Sequence, residues 1–241
     1  MSIRLRERGV DAVLLDIEGT TTPMAYVYDV LFPYARARLS AYLKAHVSEE
    51  ETRDLLATLR VEWQEDARKG EEPPPWAFAD VPAAARYLDW LMDRDRKSPS
   101  LKRIQGDIWK GGFESGELRP DLFADVAPAF ARWKAAGVDI AIYSSGSVLA
   151  QKLIFREHLA SLSAFFDTSV GPKRSVDSYR RIAGELQRPP ERMLFVSDVP
   201  EELNAALDAG MQIVLAVRPG NRPVEGPDSV EEISSLDELL A

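Results

Sequence analysis

Residues 12–23 read A-V-L-L-D-I-E-G-T-T-T-P. Val13, Leu14 and Leu15 form a short apolar run of the kind that suits a parallel strand covered on both faces, although so short a run also suits a buried helix. The run ends at Asp16. Gly19 and Pro23 break regular structure beyond it, and three successive threonines resist a helix. Asp16 is therefore expected where a buried strand opens into a loop, at its carboxyl end, which is where open α/β sheets bind ligands. An aspartate so placed can attack phosphorus and carry a phosphoryl group as an acyl phosphate. A second acid can protonate the leaving oxygen and then activate water, and Asp16 and Glu18 fit those two roles. Two such carboxylates repel each other and a phosphate: at ~4 Å and an effective dielectric of ~20, each like-charge pair costs about 4 kcal/mol. A hard divalent cation offsets that, and Mg²⁺ takes one or two carboxylates plus phosphate oxygens. A solvated aspartate followed by a threonine-rich turn is the plainer alternative, and this stretch alone does not choose.

Outward from this stretch the chain changes character twice. From 24 to 113 the pattern is helix after helix. Tyr26, Val27, Val30, Leu31, Tyr34 and Leu39 recur at helical spacing, with a kink or break expected near Phe32 because of Pro33. Ser48 followed by Glu51 reads as a helix start running to about Lys69, with Leu55, Leu56, Leu59 and Trp63 on one face. Further helices are expected over 83–94, with Tyr87, Leu88 and Leu91 inward and a solvated end at 93–97, and over 99–110, stopped by Gly111-Gly112. From 120 onward helix and strand alternate: helices over 121–136, 147–158, 175–186 and 200–209, strands over 138–143, 165–167, 193–196 and 213–217, then a loop over 220–229 and a short final helix. Such alternation implies parallel β-α-β units with right-handed crossovers. The fold class expected is α/β: a Rossmann-like core of residues 1–22 and 116–241, and a helical cap, 23–115, inserted after the first strand. An insertion beside the candidate nucleophile is well sited to act as a water-excluding lid.

Polar clusters follow the later strands. Ser144-Ser145-Gly146-Ser147 offers hydroxyls and backbone N–H groups at a helix start, an anion site or simply a helix cap. Gly171-Pro172-Lys173-Arg174 places a lysine in a tight loop, either reaching a phosphate and Asp16 or lying on the surface. Ser197-Asp198-Val199-Pro200 puts an acid between a strand and a helix, as a further Mg²⁺ ligand, an N-cap, or both. Acid pair, hydroxyls, lysine and acid, each ending a successive apolar strand, would share one edge of a parallel sheet and form a phosphoryl-transfer site.

Composition narrows the alternatives. The 241 residues are 45% hydrophobic, which supports a real core. A net charge of −9 without a basic cluster argues against nucleic acid or anionic membrane as partner. The absence of cysteine removes disulfides and thiolate catalysis and fits a reducing compartment. Met1 to Arg8 has no apolar signal core, and no run approaches the ~20 residues of a membrane helix, so a cytoplasmic location is expected.

The motif order resembles the haloacid dehalogenase superfamily and, within it, the enolase-phosphatases (acireductone synthases) of methionine salvage. The match rests on D-I-E-G-T-T-T-P (16–23), L-F-P-Y (31–34), D-I-W-K (107–110), S-G-E-L (115–118), I-Y-S-S-G-S (142–147) with A-Q-K-L (150–153), G-P-K-R (171–174) with Ser178-Tyr179, S-D-V (197–199) and V-R-P-G-N (217–221). The superfamily usually carries D-x-D where this chain has Asp16-Ile17-Glu18; D-x-E is the narrower family's pattern. The resemblance implies one Mg²⁺ per chain, held by Asp16, Glu18 through its backbone carbonyl, and Asp198. It implies phosphate binding by Ser144, Ser145 and Lys173. The implied substrate is 2,3-diketo-5-methylthiopentyl-1-phosphate, enolised and then dephosphorylated by a monomer. The base for enolisation stays open among Glu18, Tyr26 and Glu114. His46 and His158 read as structural or surface residues, and Val217 to Asn221 as a turn or a wall closing the site from the side. A different phosphatase on the same scaffold is the nearest competitor. A metal-free dehalogenase is disfavoured by the acids Glu18 and Asp198, and a receiver module, which keeps its aspartyl phosphate, by the helical insertion.

Overall fold

Strand β1 (Ile3–Arg4) is followed by β2 (Ala12–Leu15), all four residues of which are buried. The computed structural model describes residues 2–76, 81–94, 96, 98–227 and 229–241. Met1 of the expected leaderless start, Asp95 and Lys97 of the expected solvated helix end, and Asp228 of the expected loop lie outside the described residues. The chain divides into two compact units, Met1–Tyr28 with Arg119–Ala241, and Asp29–Leu118. The boundaries thus fall at 28/29 and 118/119 rather than at 22/23 and 115/116. Tyr26 belongs with the first unit because its hydroxyl donates to the Arg119 carbonyl at 2.6 Å.

The inserted unit holds four helices: α1 (Phe32–His46), α2 (Glu50–Arg68), α3 (Val81–Asp93) and α4 (Pro99–Ser115). Residues Tyr26–Leu31 are wound as a π turn, and α1 begins at Phe32 with Pro33 in its first turn, where the missing N–H forfeits no helix bond. Leu39, Leu43, Leu59, Tyr87, Leu88, Leu91 and Ile104 supply the buried faces. Two sequence expectations fail here. Ser48 does not cap α2, whose N-cap position is Glu49 without a side-chain cap. Gly111-Gly112 does not stop α4, which runs to Ser115 and ends at Gly116 with φ +79°. Gly112 is needed for close packing instead: a Cβ there would lie 2.7 Å from Tyr34 Cζ and 2.8 Å from Leu118 Cδ1.

The first unit continues through α5 (Val126–Ala135), β3 (Asp139–Tyr143), α6 (Val148–Ile154), β4 (Ala164–Phe166), α7 (Val176–Leu186), β5 (Met193–Ser197), α8 (Pro200–Asp208), β6 (Gln212–Ala216), β7 (Glu231–Ile233) and β8 (Leu239–Leu240). Helix α5 starts later than expected because Phe123 N is drawn to the Thr21 carbonyl and Asp125 is engaged by other partners. The expected short final helix is reduced to a single 3₁₀ turn, Leu236–Glu238, between strand β7 and strand β8, which pairs with β1. The main sheet is six-stranded, order β4-β3-β2-β5-β6-β7, and every pairing is parallel. The chain moves outward one way from β2 through β3 to β4, then the other way from β5 through β6 to β7. The reversal lies between β2 and β5, whose register pairs Leu14 with Phe195 and Leu15 with Val196. The crevice beyond the carboxyl ends of those two strands is where such sheets bind ligands.

Candidate active site

Asp16 follows β2 and Asp198 follows β5, one on each side of that reversal. Asp16 N donates to the Val196 carbonyl at 3.0 Å, which carries the strand pairing one residue past β2 and fixes the aspartate's backbone. Beyond it the chain closes a tight loop: the Ile17 carbonyl accepts from Thr20, Thr21 and Thr22 N, and Thr21 Oγ1 donates to the Asp16 carbonyl at 3.1 Å. Gly19 is required, with φ +70° and a Cβ position that would lie 2.8 Å from Asp198 Cγ. This contact sets Asp198 against the loop that follows Asp16.

Lys173 is not a surface lysine. Its Nζ sits 2.6 Å from Asp16 Oδ1 and 2.6 Å from Glu202 Oε2, with its side chain only 9% exposed. The loop that carries it is pinned: Tyr143 donates to the Gly171 carbonyl, Ser178 to that of Pro172, and Tyr179 to that of Lys173, all within 2.7–2.9 Å. Gly171 leaves room for Ser178 Oγ where a Cβ would stand. Ile17 N donates to Asp16 Oδ1 at 2.7 Å, and Ser197 Oγ lies 3.3 Å from both Asp16 Oδ2 and Glu202 Oε2. Burial alone would push the Lys173 ammonium down; the Asp16 and Glu202 carboxylates more than offset it, and it is held above its ordinary range. Burial, then the Asp16 charge, pushes the Asp198 carboxyl up to about 7. Glu202 is likewise pushed up to about 7 by burial, with Lys173 opposing and Asp16 adding to the rise.

Ser144 is buried beyond β3; its N donates to the Phe166 carbonyl and its Oγ accepts from Gly146 N, both at 3.1 Å. Ser145 lies half-buried in the same loop. The helix cap is neither of these but Ser147, whose Oγ accepts from Ala150 N. Asp198 caps nothing either, the N-cap position of α8 being Val199 without a side-chain cap. Glu18 is half-buried in the loop that follows Asp16, bridged through its backbone to Thr22. Tyr26 is poorly suited as a base: its hydroxyl donates to the Arg119 carbonyl, and burial followed by the Asp121 charge pushes its pKa to about 12. His46 stacks on Tyr42 and His158 meets Phe130 edge-on, both in packing roles.

Two features escape a reading of the sequence. Glu202, one helical turn past Asp198, looks like an acid favouring a helix N-terminus, yet it is buried and shares Lys173 with Asp16. Arg218 and Asn221, expected in a turn or a side wall, reach the loop that follows Asp16: Arg218 Nε donates to the Thr20 carbonyl at 2.9 Å and Asn221 Nδ2 to that of Gly19 at 2.8 Å.

A family profile for haloacid dehalogenase-like hydrolases matches residues 10–210. The chain is 50% identical over 235 residues to the enolase-phosphatase E1 of Synechococcus elongatus, covering 95% of this chain and 98% of that protein. It is 46% identical to the enolase-phosphatase E1 of Drosophila mojavensis, covering 91% and 90%. Among solved structures, the UTR4 protein of Saccharomyces cerevisiae superposes with a TM-score of 0.75 at 29% identity, over 93% of this chain and 97% of that one. The phosphate complex of CbbY from Rhodobacter sphaeroides shares the fold with a TM-score of 0.60 at 21% identity, over 95% and 96%. With the parallel sheet, the acid ending its central strand and near full-length identity in agreement, the chain belongs to the enolase-phosphatase family of haloacid dehalogenase-like hydrolases.

Proposed function

We propose that this chain converts 2,3-diketo-5-methylthiopentyl-1-phosphate to 1,2-dihydroxy-3-keto-5-methylthiopentene and phosphate in methionine salvage, by enolisation and then phosphoryl transfer to Asp16. The observation that carries this reading is the buried pair of Asp16 and Lys173, 2.6 Å apart at the carboxyl end of the central strand. Lys173 and Ile17 N hold one oxygen of the Asp16 carboxylate and so orient the other. Asp16 forms a bond to phosphorus as the ester P–O bond breaks, and the leaving enol oxygen takes a proton from Glu18. Water then attacks phosphorus, gives its proton to Glu18, and releases Asp16 and phosphate. Lys173 stays charged throughout and stabilises the phosphoryl oxygens together with the Ser144 and Ser145 hydroxyls.

The donors fit Mg²⁺. All are oxygens: the carboxylates of Asp16 and Asp198, the latter packed against Gly19, and the backbone carbonyl of Glu18. Among the described residues no three His, Cys, Asp or Glu side chains form a metal-holding group by themselves. Two carboxylates, a carbonyl and water or phosphate oxygens make up the set Mg²⁺ ordinarily takes. Bound there, one ion per chain would neutralise phosphate charge and polarise its oxygens. The same reading takes the chain as a cytoplasmic monomer with no nucleic acid or membrane partner. No described helix is long and apolar enough to cross a membrane.

A ³¹P and ¹H NMR time course under nitrogen tests the assignment. Phosphate release with enediol signals, lost on chelation of the metal, is expected from the diketo phosphate. Turnover of other esters but not of this one would remove the substrate assignment.

A further inference from the structure

The segment Val217-Arg218-Pro219-Gly220-Asn221 follows β6 and takes no part in the chemistry above. Its contacts converge on one place. Three consecutive carbonyls of the nucleophile loop each accept from outside it: Gly19 from Asn221 Nδ2 at 2.8 Å, Thr20 from Arg218 Nε at 2.9 Å, and Thr21 from Phe123 N at 3.0 Å. The loop's internal bonds run to the Asp16, Ile17 and Thr22 carbonyls, so these donors are what its outward side rests on. Arg218 is anchored in turn. Its guanidinium lies 4.6 Å above the Phe123 ring, and Nη1 donates to Asp125 Oδ2 at 2.6 Å and to the Ser234 carbonyl at 2.8 Å. Asp125 also accepts from Ser235 Oγ and Leu236 N, which ties the frame to the C-terminal segment.

A buried guanidinium is a costly way to finish a turn, since its charge must be desolvated and then matched by a buried carboxylate. A neutral donor would satisfy a lone carbonyl as well. The Arg218 side chain is 3% exposed, and its planar fork does what a neutral donor does not: it fixes the direction of the Thr20 carbonyl relative to a rigid frame. Gly19, held beside it by Asn221, is the residue against which Asp198 packs.

We propose that Arg218 and Asn221 are positioning residues for the phosphoryl-transfer step, clamping the loop so that Asp16 and Asp198 keep their mutual placement. The proposal rests on Asp16 being the nucleophile. Loosening such a constellation by ~1 Å costs up to about a hundredfold in rate.

The test compares the parent, Arg218→Lys, Asn221→Ala and a control, Tyr87→Phe. The control loses the buried bond from the Tyr87 hydroxyl to Asp66 Oδ2, at 2.7 Å, within the inserted unit and outside the frame that holds Arg218. Turnover is measured on the diketo phosphate and on para-nitrophenyl phosphate, with thermal unfolding alongside. The clamp predicts that kcat falls at least about tenfold on either ester in both clamp variants, with KM within about twofold, because the phosphate-binding groups are untouched. The control should lose Tm and keep kcat. Asn221→Ala, a smaller perturbation than loss of the guanidinium, keeps the test open if Arg218→Lys fails to fold. A folded Asn221→Ala with parental kcat overturns the proposal, as does a kcat loss in Tyr87→Phe equal to that of the clamp variants. A parent that turns over para-nitrophenyl phosphate but not the diketo phosphate counts against the substrate assignment alone, since the clamp is then read from kcat ratios on the simpler ester.

Discussion

Replacing Lys173 by methionine removes the cation between two buried carboxylates. Its Nζ lies 2.6 Å from Asp16 Oδ1 and from Glu202 Oε2, so those oxygens are no farther apart than twice that distance. At about 5 Å and an effective dielectric of ~20 their repulsion is about 3 kcal/mol. Two consequences follow. The transferring phosphoryl group loses a preorganised charge, and kcat/KM for phosphate release should fall by about 10²–10³. The acids must also take up a proton or bear the repulsion. A carboxyl raised above its ordinary value weakens the folded state as pH rises from the ordinary value through the raised one, and has no such effect below both. In metal-free protein the Tm gap between parent and variant, which at both pH values includes the lost stabilisation of the raised Lys173, should therefore be smaller at about pH 5 and grow by on the order of 5–10 °C towards about pH 8. Steady-state phosphate release and thermal melts at the two pH values measure both effects. A variant with kcat/KM within about threefold of the parent, or a Tm gap identical at both pH values, would show that Lys173 does not act as the charge between Asp16 and Glu202.

Asp16→Asn should lower phosphate release by at least about a thousandfold while leaving the fold intact, as circular dichroism and turnover assays would show; near-parental turnover contradicts the nucleophile's role. Glu202→Gln should reduce kcat by about tenfold by leaving Lys173 one carboxylate instead of two, and kcat equal to the parent's would make Glu202 a packing residue only. In Gly19→Ala the new Cβ collides with Asp198 and sits on a left-handed backbone that alone costs about 1–2 kcal/mol. Both Tm and activity should drop, and activity should need more Mg²⁺, read from a metal titration. Asp125 is pushed upward by burial, but hydrogen bonds from Arg218, Ser235 and Leu236 N hold it below the ordinary carboxylate range. Its stabilising effect is present above that ordinary value and lost as pH falls through the lower one. The Tm deficit of Asp125→Asn should accordingly shrink below about pH 4, and a deficit that grows there would reverse the assignment.

The parallel sheet was legible because its strands are short apolar runs, each ending in a polar cluster: Leu15 before Asp16, Tyr143 before Ser144, Val196 before Ser197. Period and punctuation suffice for that. Strands β7 and β8 were not legible, since Glu231–Ile233 and Leu239–Leu240 are too short to show a period and gain their pairing from β6 and β1. Gly111-Gly112 misled for a related reason: a glycine inside a helix looks like a stop until the Tyr34 ring that needs its space is in view. In the site, Lys173 was visible as a lysine in a tight loop, but its burial was not, because that depends on Glu202 arriving from another element. Arg218 and Asn221 looked like turn chemistry, and their Pro-Gly-Asn sequence does make a turn, with Asn221 N donating to the Arg218 carbonyl at 3.1 Å. What no local pattern reveals is that the turn faces the loop of residues 17–22, nearly 200 residues earlier.

Asp16 is proposed to carry the phosphoryl group from the diketo phosphate. Rapid acid quench with ³²P-labelled diketo phosphate, followed by peptide mapping, tests it most directly. An acid-stable, hydroxylamine-labile label on Asp16 that forms and decays within one turnover is expected. Full turnover with no labelled peptide, or a label on any other residue, would contradict it.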